Sequence, residues 1–198
     1  MKMVCDKFNL NIYDVINASR TKPFGFTSFL PGPGMGGHCI PIDPLFISWA
    51  AKKKGITANF IENSRKINQR ITNWIIQKVE KTLKNKKNKL LILGVAYKKN
   101  INDSRESPAI KILNHFLKKY KNIKFHDPYI SSILVNNKKL QSIKKFNYNN
   151  LKYYDATIIC TDHDFYDFKK IIKNSKLVFD TRGVMRKTNF KNEKYIVC

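Results

Sequence analysis

The chain has 198 residues, of which 42% are hydrophobic and 12% aromatic, which is enough apolar material for a packed core and argues against wholesale disorder. No apolar run approaches the roughly 20 residues that a membrane-spanning helix needs, and residues 1–6 lack the apolar stretch of a secretory signal. We therefore expect a soluble, cytoplasmic protein of one or two domains with no membrane partner.

The charge is one-sided, with 38 Lys and Arg residues against 14 Asp and Glu and a formal net charge of +24. Such a balance attracts polyanions, so nucleic acid has to be considered. Only six of these basic residues are arginines, although base-reading and phosphate-clamping surfaces favour arginine. The lysines are spread among many Asn and Ile residues, a composition typical of A/T-rich coding, and we expect no nucleic-acid partner.

Residues 1–19 have the apolar spacing of a helix with a break near residues 9–11. The pattern is already under way at Met1 with no cap before it, so we expect that the chain begins inside a helix. Residues 20–44 hold five of the eight glycines and five of the seven prolines, which predicts a long loop with several fixed dihedral angles. Loops of this length in compact domains are usually functional.

Two helices are predicted after this loop. The first runs from Pro44 to Lys54, with Asp43 as its N-cap and Gly55 ending it. The second, over residues 60–85, is the longest stretch of helical apolar spacing in the chain.

Beyond residue 87, buried-strand runs at 90–96, 123–125, 156–160 and 177–180 accompany a helix predicted at 108–120. This alternation predicts an α/β fold with a Rossmann-like, doubly wound parallel sheet. We therefore expect two domains, a partial all-helical region at 1–86 and an α/β domain at 87–198.

The densest chemical signal is the segment PGPGMGGHCIPIDP at residues 31–44. Its paired glycines allow the backbone to approach a ligand closely, and Cys39 follows them at a junction where backbone amides and positive charge favour a thiolate nucleophile. Asp43 can orient a water or accept a proton there. The alternative is a glycine-rich turn with an unreactive cysteine. For His38 we expect a loop-stabilising hydrogen bond rather than the role of base for the thiol, because adjacent residues rarely face each other.

The loop at residues 94–108 follows the first strand of the α/β region, and ligands of open α/β sheets bind beyond the carboxyl ends of the strands. Lys98 or Lys99 can neutralise a phosphate there, and Arg105 can bind one through two hydrogen bonds. Tyr97 can lie against a base or sugar face. A solvated basic turn is the alternative.

Two other strand ends carry polar residues. Arg182 follows the strand at 177–180 and can add a second cation at the same edge, although the same residues also suit a strand-end cap. His163 follows the strand at 156–160 and is expected to be a surface or turn residue rather than a catalyst.

Two kinds of site have no signal in the sequence. The four cysteines are scattered, with no C-x-x-C or Cys/His ligand pair, so we expect neither a metal site nor a disulfide framework. No G-x-G-x-x-G follows a strand and no G-x-x-x-x-G-K-[ST] occurs, so the dinucleotide fingerprint is absent.

Together these segments resemble the UDP-glucose/GDP-mannose dehydrogenase family, and most of all its branch of UDP-N-acetylglucosamine and UDP-N-acetylmannosamine 6-dehydrogenases. The GGHC sequence, in place of the GGSC typical of UDP-glucose dehydrogenases, favours an N-acetylated substrate. The resemblance covers essentially the whole chain and is carried by TKPFGF at 21–26, PGPGMGGHCIPIDP at 31–44, LGVAYKKNINDSRESPAIKIL at 93–113, HDPY at 126–129, CTDHDFYDF at 160–168 and DTRGV at 180–184.

The resemblance implies three parts: an NAD-binding Rossmann domain, a central helical region with a long dimerising helix, and a C-terminal UDP-binding α/β domain. This chain matches the last two, so we expect the NAD-binding domain and the family's catalytic lysine and asparagine to be missing. The family oxidises the primary alcohol of a UDP-sugar to a carboxylate with two NAD⁺, through a cysteine thiohemiacetal and thioester, here in polysaccharide biosynthesis.

Carried over residue by residue, the resemblance makes Cys39 the nucleophile and Asp43 the group that helps to activate the hydrolytic water. The other positions divide into a substrate-binding and a cofactor-binding set. The substrate-binding set is Leu30, Pro31, Gly32, Pro33, Gly34, Met35, Gly36, Tyr97, Lys98 and Arg182, and the cofactor-binding set, for NAD, is Cys39, Ile40, Pro41, Ile42 and Arg105.

The implied partners are the UDP-sugar and either a second copy of the chain, in a homodimer, or a separate chain that carries the NAD domain. Without that domain, independent dehydrogenase activity is not expected. Two alternatives stay open: a non-catalytic UDP-sugar-binding remnant of such an enzyme, and a basic nucleic-acid-binding protein.

Overall fold

The computed structural model describes residues 1–186 and 192–198. Within these ranges, no helix has both the length and the apolar character that crossing a membrane requires. A 3-10 helix spans Tyr148–Tyr153. The helices and strands are α1 (Lys2–Lys7), α2 (Ile12–Ser19), α3 (Asp43–Lys53), α4 (Asn59–Thr82), β1 (Lys89–Leu93), α5 (Pro108–Leu117), β2 (Asn122–His126), β3 (Ser132–Val135), β4 (Lys138–Gln141), β5 (Ala156–Ile159), α6 (Phe168–Asn174), β6 (Val178–Asp180) and β7 (Tyr195–Val197).

The two N-terminal helices are separated by the predicted break. Asn9 adopts a left-handed φ of 55°, which asparagine tolerates better than most residues. The side chain of Asn11 caps α2 by accepting a hydrogen bond from the Tyr13 amide at 3.0 Å. Cys5, Ile12 and Tyr13 form the small buried cluster beneath these helices.

Helix α3 begins and ends close to the predicted residues. Pro44 lies in its first turn, where a missing N–H leaves no broken hydrogen bond, and Gly55, with a φ of 77°, follows its last turn in the left-handed conformation common after helices. The prediction that Asp43 caps this helix is wrong. Ile42 occupies the N-cap, and the Asp43 carboxylate instead contacts Nδ1 of His38 at 2.7 Å.

The second half of the chain forms a five-stranded parallel sheet in the order β2–β1–β5–β6–β7. The chain runs from β1 to the edge strand β2, crosses back over β1 to β5, and continues to β6 and β7. The direction of strand addition therefore reverses between β1 and β5, and doubly wound sheets bind ligands beyond the carboxyl ends of two such strands. The predicted doubly wound α/β fold is confirmed.

Both faces of this sheet are covered. One face packs against α5 and the second half of α4 through a core that includes Ile76, Val79 and Phe116. The other face packs against α6 and the 3-10 helix through residues such as Leu151 and Ile171. Helix α4, at 24 residues, therefore extends from the helical half of the chain into the core of the α/β half.

Five elements are absent from the sequence predictions: strands β3 and β4, which form an antiparallel hairpin, the 3-10 helix, helix α6 and the edge strand β7. The hairpin turns at Asn136 and Asn137, whose φ angles of 50° and 58° are both left-handed, as a type I′ turn requires. Strand β7 has only three residues and is partly exposed, so its apolar signal is weak.

We predict that Gly94→Ala lowers the free energy of unfolding by about 3 kcal/mol and Gly55→Ala by only about 1 kcal/mol. Both glycines are left-handed, with φ angles of 79° and 77°, so both substitutions carry the same backbone strain. A Cβ at Gly94 would also lie 2.8 Å from the backbone N and O of Thr161, whereas Gly55 has no atom within 4 Å of that position. Urea unfolding followed by circular dichroism measures both variants, and equal losses would contradict the close packing at Gly94.

Candidate functional site

The loop after β1 is fixed where it leaves the strand. Gly94 packs directly against Thr161 at the end of β5, so the loops that follow β1 and β5 meet there. Thr161 Oγ1 donates to the carbonyl oxygen of Ala96 at 2.6 Å, and the Gly94 amide donates to the carbonyl of His126 at 2.9 Å. These contacts fix the start of the loop relative to β2 and β5.

A buried carboxylate holds the same loop from the β2 side. Asp127 is only 4% exposed and accepts five hydrogen bonds. Burial opposes its ionisation, but the hydrogen bonds from His163 and from the Val95 amide outweigh burial, so the pKa of Asp127 lies below its ordinary value. Its donors are the amides of Val95, Ala96, Tyr129 and Ile130, at 2.7 to 3.1 Å, and Nε2 of His163 at 3.1 Å.

The sequence predicts a surface or turn residue at His163. The residue opens a turn, since its carbonyl accepts from the Tyr166 amide at 3.2 Å, but the surface alternative is wrong because the side chain is fully buried. While Nε2 faces Asp127, Nδ1 accepts a hydrogen bond from the Asn100 amide at 2.9 Å. Asn100 has a left-handed φ of 61°, and its side chain exchanges hydrogen bonds with Asp164 at 2.5 and 3.0 Å. A further part of the loop after β1 is therefore also held by the loop after β5.

Arg182 lies at the predicted edge of the sheet, between the loops that follow β1 and β5. Its Nε donates to the Cys160 carbonyl at 2.7 Å, and one Nη donates to the Tyr97 carbonyl at 3.4 Å. The side chain is only 19% exposed. Gly32 packs against it, since a Cβ there would lie 2.7 Å from Nη1 of Arg182. The glycine loop, β1 and β5 thus converge on one guanidinium.

The glycine and proline loop is anchored on α4 by two polar side chains one helical turn apart. Thr72 Oγ1 donates to the Pro33 carbonyl at 2.7 Å. Asn68 accepts from the Met35 amide at 2.7 Å and donates to the Met35 carbonyl at 3.2 Å. These bonds fix both ends of the central Pro-Gly-Met turn on the long helix.

The paired glycines bring the cysteine segment onto the loop after β1. A Cβ at Gly36 would lie 2.7 Å from the Tyr97 Cβ, and one at Gly37 would lie 2.9 Å from the Tyr97 ring. The Gly37 amide donates to the Arg105 carbonyl at 2.9 Å. Because a side chain at either glycine would displace Tyr97, this close approach depends on glycine.

Cys39 follows this contact directly and is exposed. Beside it, Nδ1 of His38 lies 2.7 Å from the Asp43 carboxylate and both side chains are about half exposed, so His38 supplies the loop-stabilising hydrogen bond expected from the sequence. The Arg105 guanidinium is 70% exposed and binds Asp103 at 2.7 Å. Arg105 donates hydrogen bonds to the Asp103 carboxylate, and these bonds raise the pKa of the Arg105 guanidinium.

Several of the predicted ligand-contact residues are open to solvent. Leu30 and Met35 are each 47% exposed, and Ile40 is 60% exposed. Lys98 is exposed and forms no ion pair with any residue that the structure describes, whereas Lys99 pairs with Asp164 at 2.8 Å. Of the two lysines in this loop, Lys98 is therefore the one available to a ligand.

Some residues that build the site carry no signal in the sequence analysis. Tyr13 of α2 donates to the Pro31 carbonyl at 3.2 Å, and its ring packs against Gly183. Asn68 and Thr72 could have been suspected as an i, i+4 polar pair on the buried side of a helix. Across residues 1–186 and 192–198, no three His, Cys, Asp or Glu side chains cluster in a way that could hold a metal ion.

The site thus combines a doubly wound sheet that has basic residues at its switch point with a glycine-rich loop that presents an exposed thiol. Residues 1–70 match the central domain of the UDP-glucose/GDP-mannose dehydrogenase family, and residues 91–187 match the UDP binding domain of the same family. The chain belongs to this family of UDP-sugar dehydrogenases.

Among its relatives, a UDP-N-acetyl-D-mannosamine dehydrogenase of Methanococcus vannielii is 32% identical over 200 residues, which are 95% of this chain and 44% of the relative. An NDP-N-acetyl-D-galactosaminuronic acid dehydrogenase of Ralstonia nicotianae is 30% identical over 93% of this chain and 43% of the relative. The chain thus spans less than half the length of these relatives.

Solved structures share the fold. The UDP-D-ManNAc dehydrogenase of Pyrococcus horikoshii has a TM-score of 0.78 at 24% identity and matches 98% of this chain and 46% of its own. The UDP-glucose dehydrogenase of Pyrobaculum islandicum has a TM-score of 0.79 at 21% identity, over 96% of this chain and 44% of its own. The α/β half is therefore Rossmann-like both in its strand topology and in its similarity to these solved structures.

We predict that Asp127→Asn lowers the free energy of unfolding by about 3 kcal/mol near pH 7. The side-chain NH₂ of asparagine is a donor, and it would face the backbone and imidazole N–H groups that now donate to the Asp127 carboxylate. The difference from wild type should shrink in acid. The pKa of Asp127 in the folded protein lies below the ordinary value of 3.8, so its contribution is complete well above that pH and is lost as pH falls through the folded pKa.

Urea midpoints measured from about pH 7 to about pH 3 test this. Gly55→Ala removes no titratable group, so its difference from wild type should stay constant over the same range. A constant difference for Asp127→Asn would contradict an ionised, hydrogen-bonded carboxylate at this position.

Proposed function

We propose that the chain is the C-terminal part of an NAD-dependent nucleotide-sugar 6-dehydrogenase, which oxidises the primary alcohol of a UDP-N-acetylhexosamine to a uronate for polysaccharide biosynthesis. The observation that carries this proposal is the docking of Gly36 and Gly37 on Tyr97 and on the Arg105 carbonyl, because it brings an exposed Cys39 beside the crevice beyond β1 and β5. Relatives that act on N-acetylated nucleotide sugars, by their names, support an N-acetylated sugar.

In this proposal the UDP part lies beyond the ends of β1 and β5. Arg182 is held by two carbonyls and offers a fixed positive charge toward the pyrophosphate. Lys98 offers a second charge on a flexible side chain, and Tyr97 borders the same crevice. The loop from Leu30 to Gly36, which is bound to α4 and packed on Arg182, encloses the sugar.

The cysteine segment supplies the covalent chemistry. Cys39 adds its sulfur to the carbonyl carbon of the sugar aldehyde, and its proton goes to the carbonyl oxygen, which gives a thiohemiacetal that keeps the aldehyde bound. The nicotinamide cofactor, when bound, would supply the oxidant: two NAD⁺ in turn would each take one hydride, first from the alcohol carbon and then from the thiohemiacetal carbon, with the hydroxyl proton released to solvent each time. Asp43, oriented by His38, accepts a proton from the water that cleaves the resulting thioester to carboxylate and free thiol.

The residues present fit one side of the nicotinamide cofactor. Ile40 is an apolar, 60% exposed neighbour of Cys39, and Arg105, whose carbonyl accepts from the Gly37 amide, carries an exposed cation. No G-x-G-x-x-G follows a strand of this sheet. We propose that residues 39–42 and Arg105 contact NAD and that a domain outside this chain supplies most of its binding.

We predict that the chain alone binds UDP and that Lys98→Ala weakens the binding about tenfold, because the variant removes one charge from the pyrophosphate. Isothermal titration calorimetry measures both affinities. Lys138→Ala, an exposed lysine of β4, is the matched control and should bind as wild type does. Failure of the wild type to bind UDP, or equal affinities of the two variants, would contradict the assignment of a UDP site at Lys98.

We predict that the chain alone forms no NADH from UDP-N-acetylhexosamine and NAD⁺, and that adding a family NAD domain in trans restores activity that depends on Cys39. Cys39→Ser should keep UDP affinity and abolish this activity. Cys198→Ala is the control, because burial raises the pKa of the Cys198 thiol to about 12 and leaves it inert.

Thiol labelling adds a readout that needs no cofactor. Iodoacetamide should alkylate Cys39, the exposed cysteine, faster than the buried Cys5, Cys160 and Cys198. UDP binding without turnover in the complemented system would favour the non-catalytic module, and NADH formation by the isolated chain would refute the need for a second domain.

We also propose that the chain forms a homodimer through the exposed faces of the packed helices α3 and α4. These faces carry large apolar side chains between 57% and 84% exposed, which is costly to leave in water: Phe46, Ile47, Trp49, Phe60 and Ile67. Sedimentation velocity should show a dimer that Phe60→Glu with Ile67→Glu converts to monomer. A monomeric wild type would contradict the homodimer and would leave these faces available to the chain that carries the NAD domain.

Two further assignments belong to the same proposal. The four cysteines are free, which suits the reducing cytoplasm. The division into residues 1–86 and 87–198 follows the change from helices to sheet, although α4 also contributes to the core of the second part.

A further inference from the structure

Two sequence motifs contribute no side chain to the proposed function: HDPY at 126–129 and CTDHDFYDF at 160–168. The fold brings Asp127 of the first and His163 of the second together, with Nε2 and Oδ2 3.1 Å apart and both side chains fully shielded from solvent. Groups buried this deeply do not touch a ligand in the crevice. Their effect on the site therefore passes through the residues that they bind.

The pair binds both ends of one short segment, residues 95–100. Asp127 Oδ2 accepts from the first two amides of this segment at 2.7 and 3.0 Å, and His163 Nδ1 accepts from its last amide at 2.9 Å. Between these attachment points lie Tyr97 and Lys98, the residues that face the nucleotide in the proposed function. The buried pair thus fixes the positions of both ends of the segment.

Histidine suits this task for a chemical reason. Because Nδ1 accepts from the Asn100 amide, the ring hydrogen lies on Nε2 and is donated to Asp127. A neutral imidazole carries one acceptor and one donor on a single rigid ring, so it bridges a carboxylate and an amide at a fixed separation. It also holds Asn100 in its left-handed conformation, with a φ of 61°.

We propose that His163 is a positioning residue of the nucleotide site: by bridging Asp127 and the Asn100 amide, it holds Tyr97 and Lys98 in the arrangement that binds UDP. The identity of the ligand as UDP rests on the proposed function, whereas the positioning of residues 95–100 by His163 does not. His163 touches neither nucleotide nor thiol.

Hydrogen exchange of the full chain tests the hold on the segment without any ligand. His163→Phe removes both hydrogen bonds and keeps a ring, so the peptide covering residues 94–101 should exchange at least about tenfold faster than in wild type. His163→Asn places an amide oxygen near the Nδ1 position and should restore much of the protection. Unchanged exchange in His163→Phe would overturn the proposal.

A matched control is available in His126, a second buried histidine, whose Nδ1 lies 2.9 Å from the Tyr166 hydroxyl and whose ring stacks on Phe146. His126→Phe removes a buried imidazole of the same region without removing a side-chain bond to residues 95–100. It should leave exchange of the 94–101 peptide as in wild type. Equal acceleration in both variants would mean general loosening of the core and would overturn the specific role of His163.

UDP affinity tests whether the positioning of residues 95–100 by His163 contributes to nucleotide binding. His163→Phe should weaken UDP binding about tenfold in the wild-type background but less than about twofold when Tyr97→Ala and Lys98→Ala are already present, because the two effects share one path. Equal losses in both backgrounds, or wild-type affinity in His163→Phe, would overturn the positioning role. If the wild-type chain binds no UDP, the proposed function fails, and exchange of the 94–101 peptide still decides whether His163 holds the segment.

Discussion

The contact between the Gly36–Gly37 bend and the Tyr97 ring joins the helical half of the chain to its α/β half at the site. It requires two positions without side chains, because a Cβ at either would lie within 3 Å of Tyr97. The hydrogen bond from the Gly37 amide to the Arg105 carbonyl closes the same contact. Without this approach, the thiol of Cys39 and the crevice at the sheet edge would be separate features of two separate halves.

Buried carboxylates hold the loops around this contact. Asp127 accepts from the amides that follow β1, and Asp180 accepts from those that follow β6. Their electrostatics differ: hydrogen bonds outweigh burial and lower the pKa of Asp127, whereas burial dominates and raises the pKa of Asp180 despite its hydrogen bonds, among them one from Tyr195. Buried carboxylates thus hold the starts of the loops that carry Lys98 and Arg182, so these two cations extend from anchored backbone.

Much of the fold follows from local sequence. The buried strands were identifiable because their apolar runs are continuous, and the break at residues 9–11 and the helix start at Pro108 were identifiable because Asn and Pro act on the backbone next to them. The hairpin β3–β4 and strand β7 were not, because short and partly exposed strands carry little periodic signal. The burial of His163 could not be predicted from the sequence for a related reason, since its partners at residues 100 and 127 are far from it along the chain.

By itself, the sequence determined which residues are chemically able to act: a cysteine after two glycines, a basic loop after a strand, and an arginine at a second strand end. These are properties of residue type and short-range spacing, and they survive in any arrangement of the chain. Tertiary structure alone decided that Lys98 rather than Lys99 is available, that Asp43 pairs with His38 instead of capping its helix, and that Asn68 and Thr72 hold the glycine loop. The reason is that hydrogen bonds and ion pairs are satisfied by whichever group the fold brings within about 3 Å, and that distance is independent of separation along the chain.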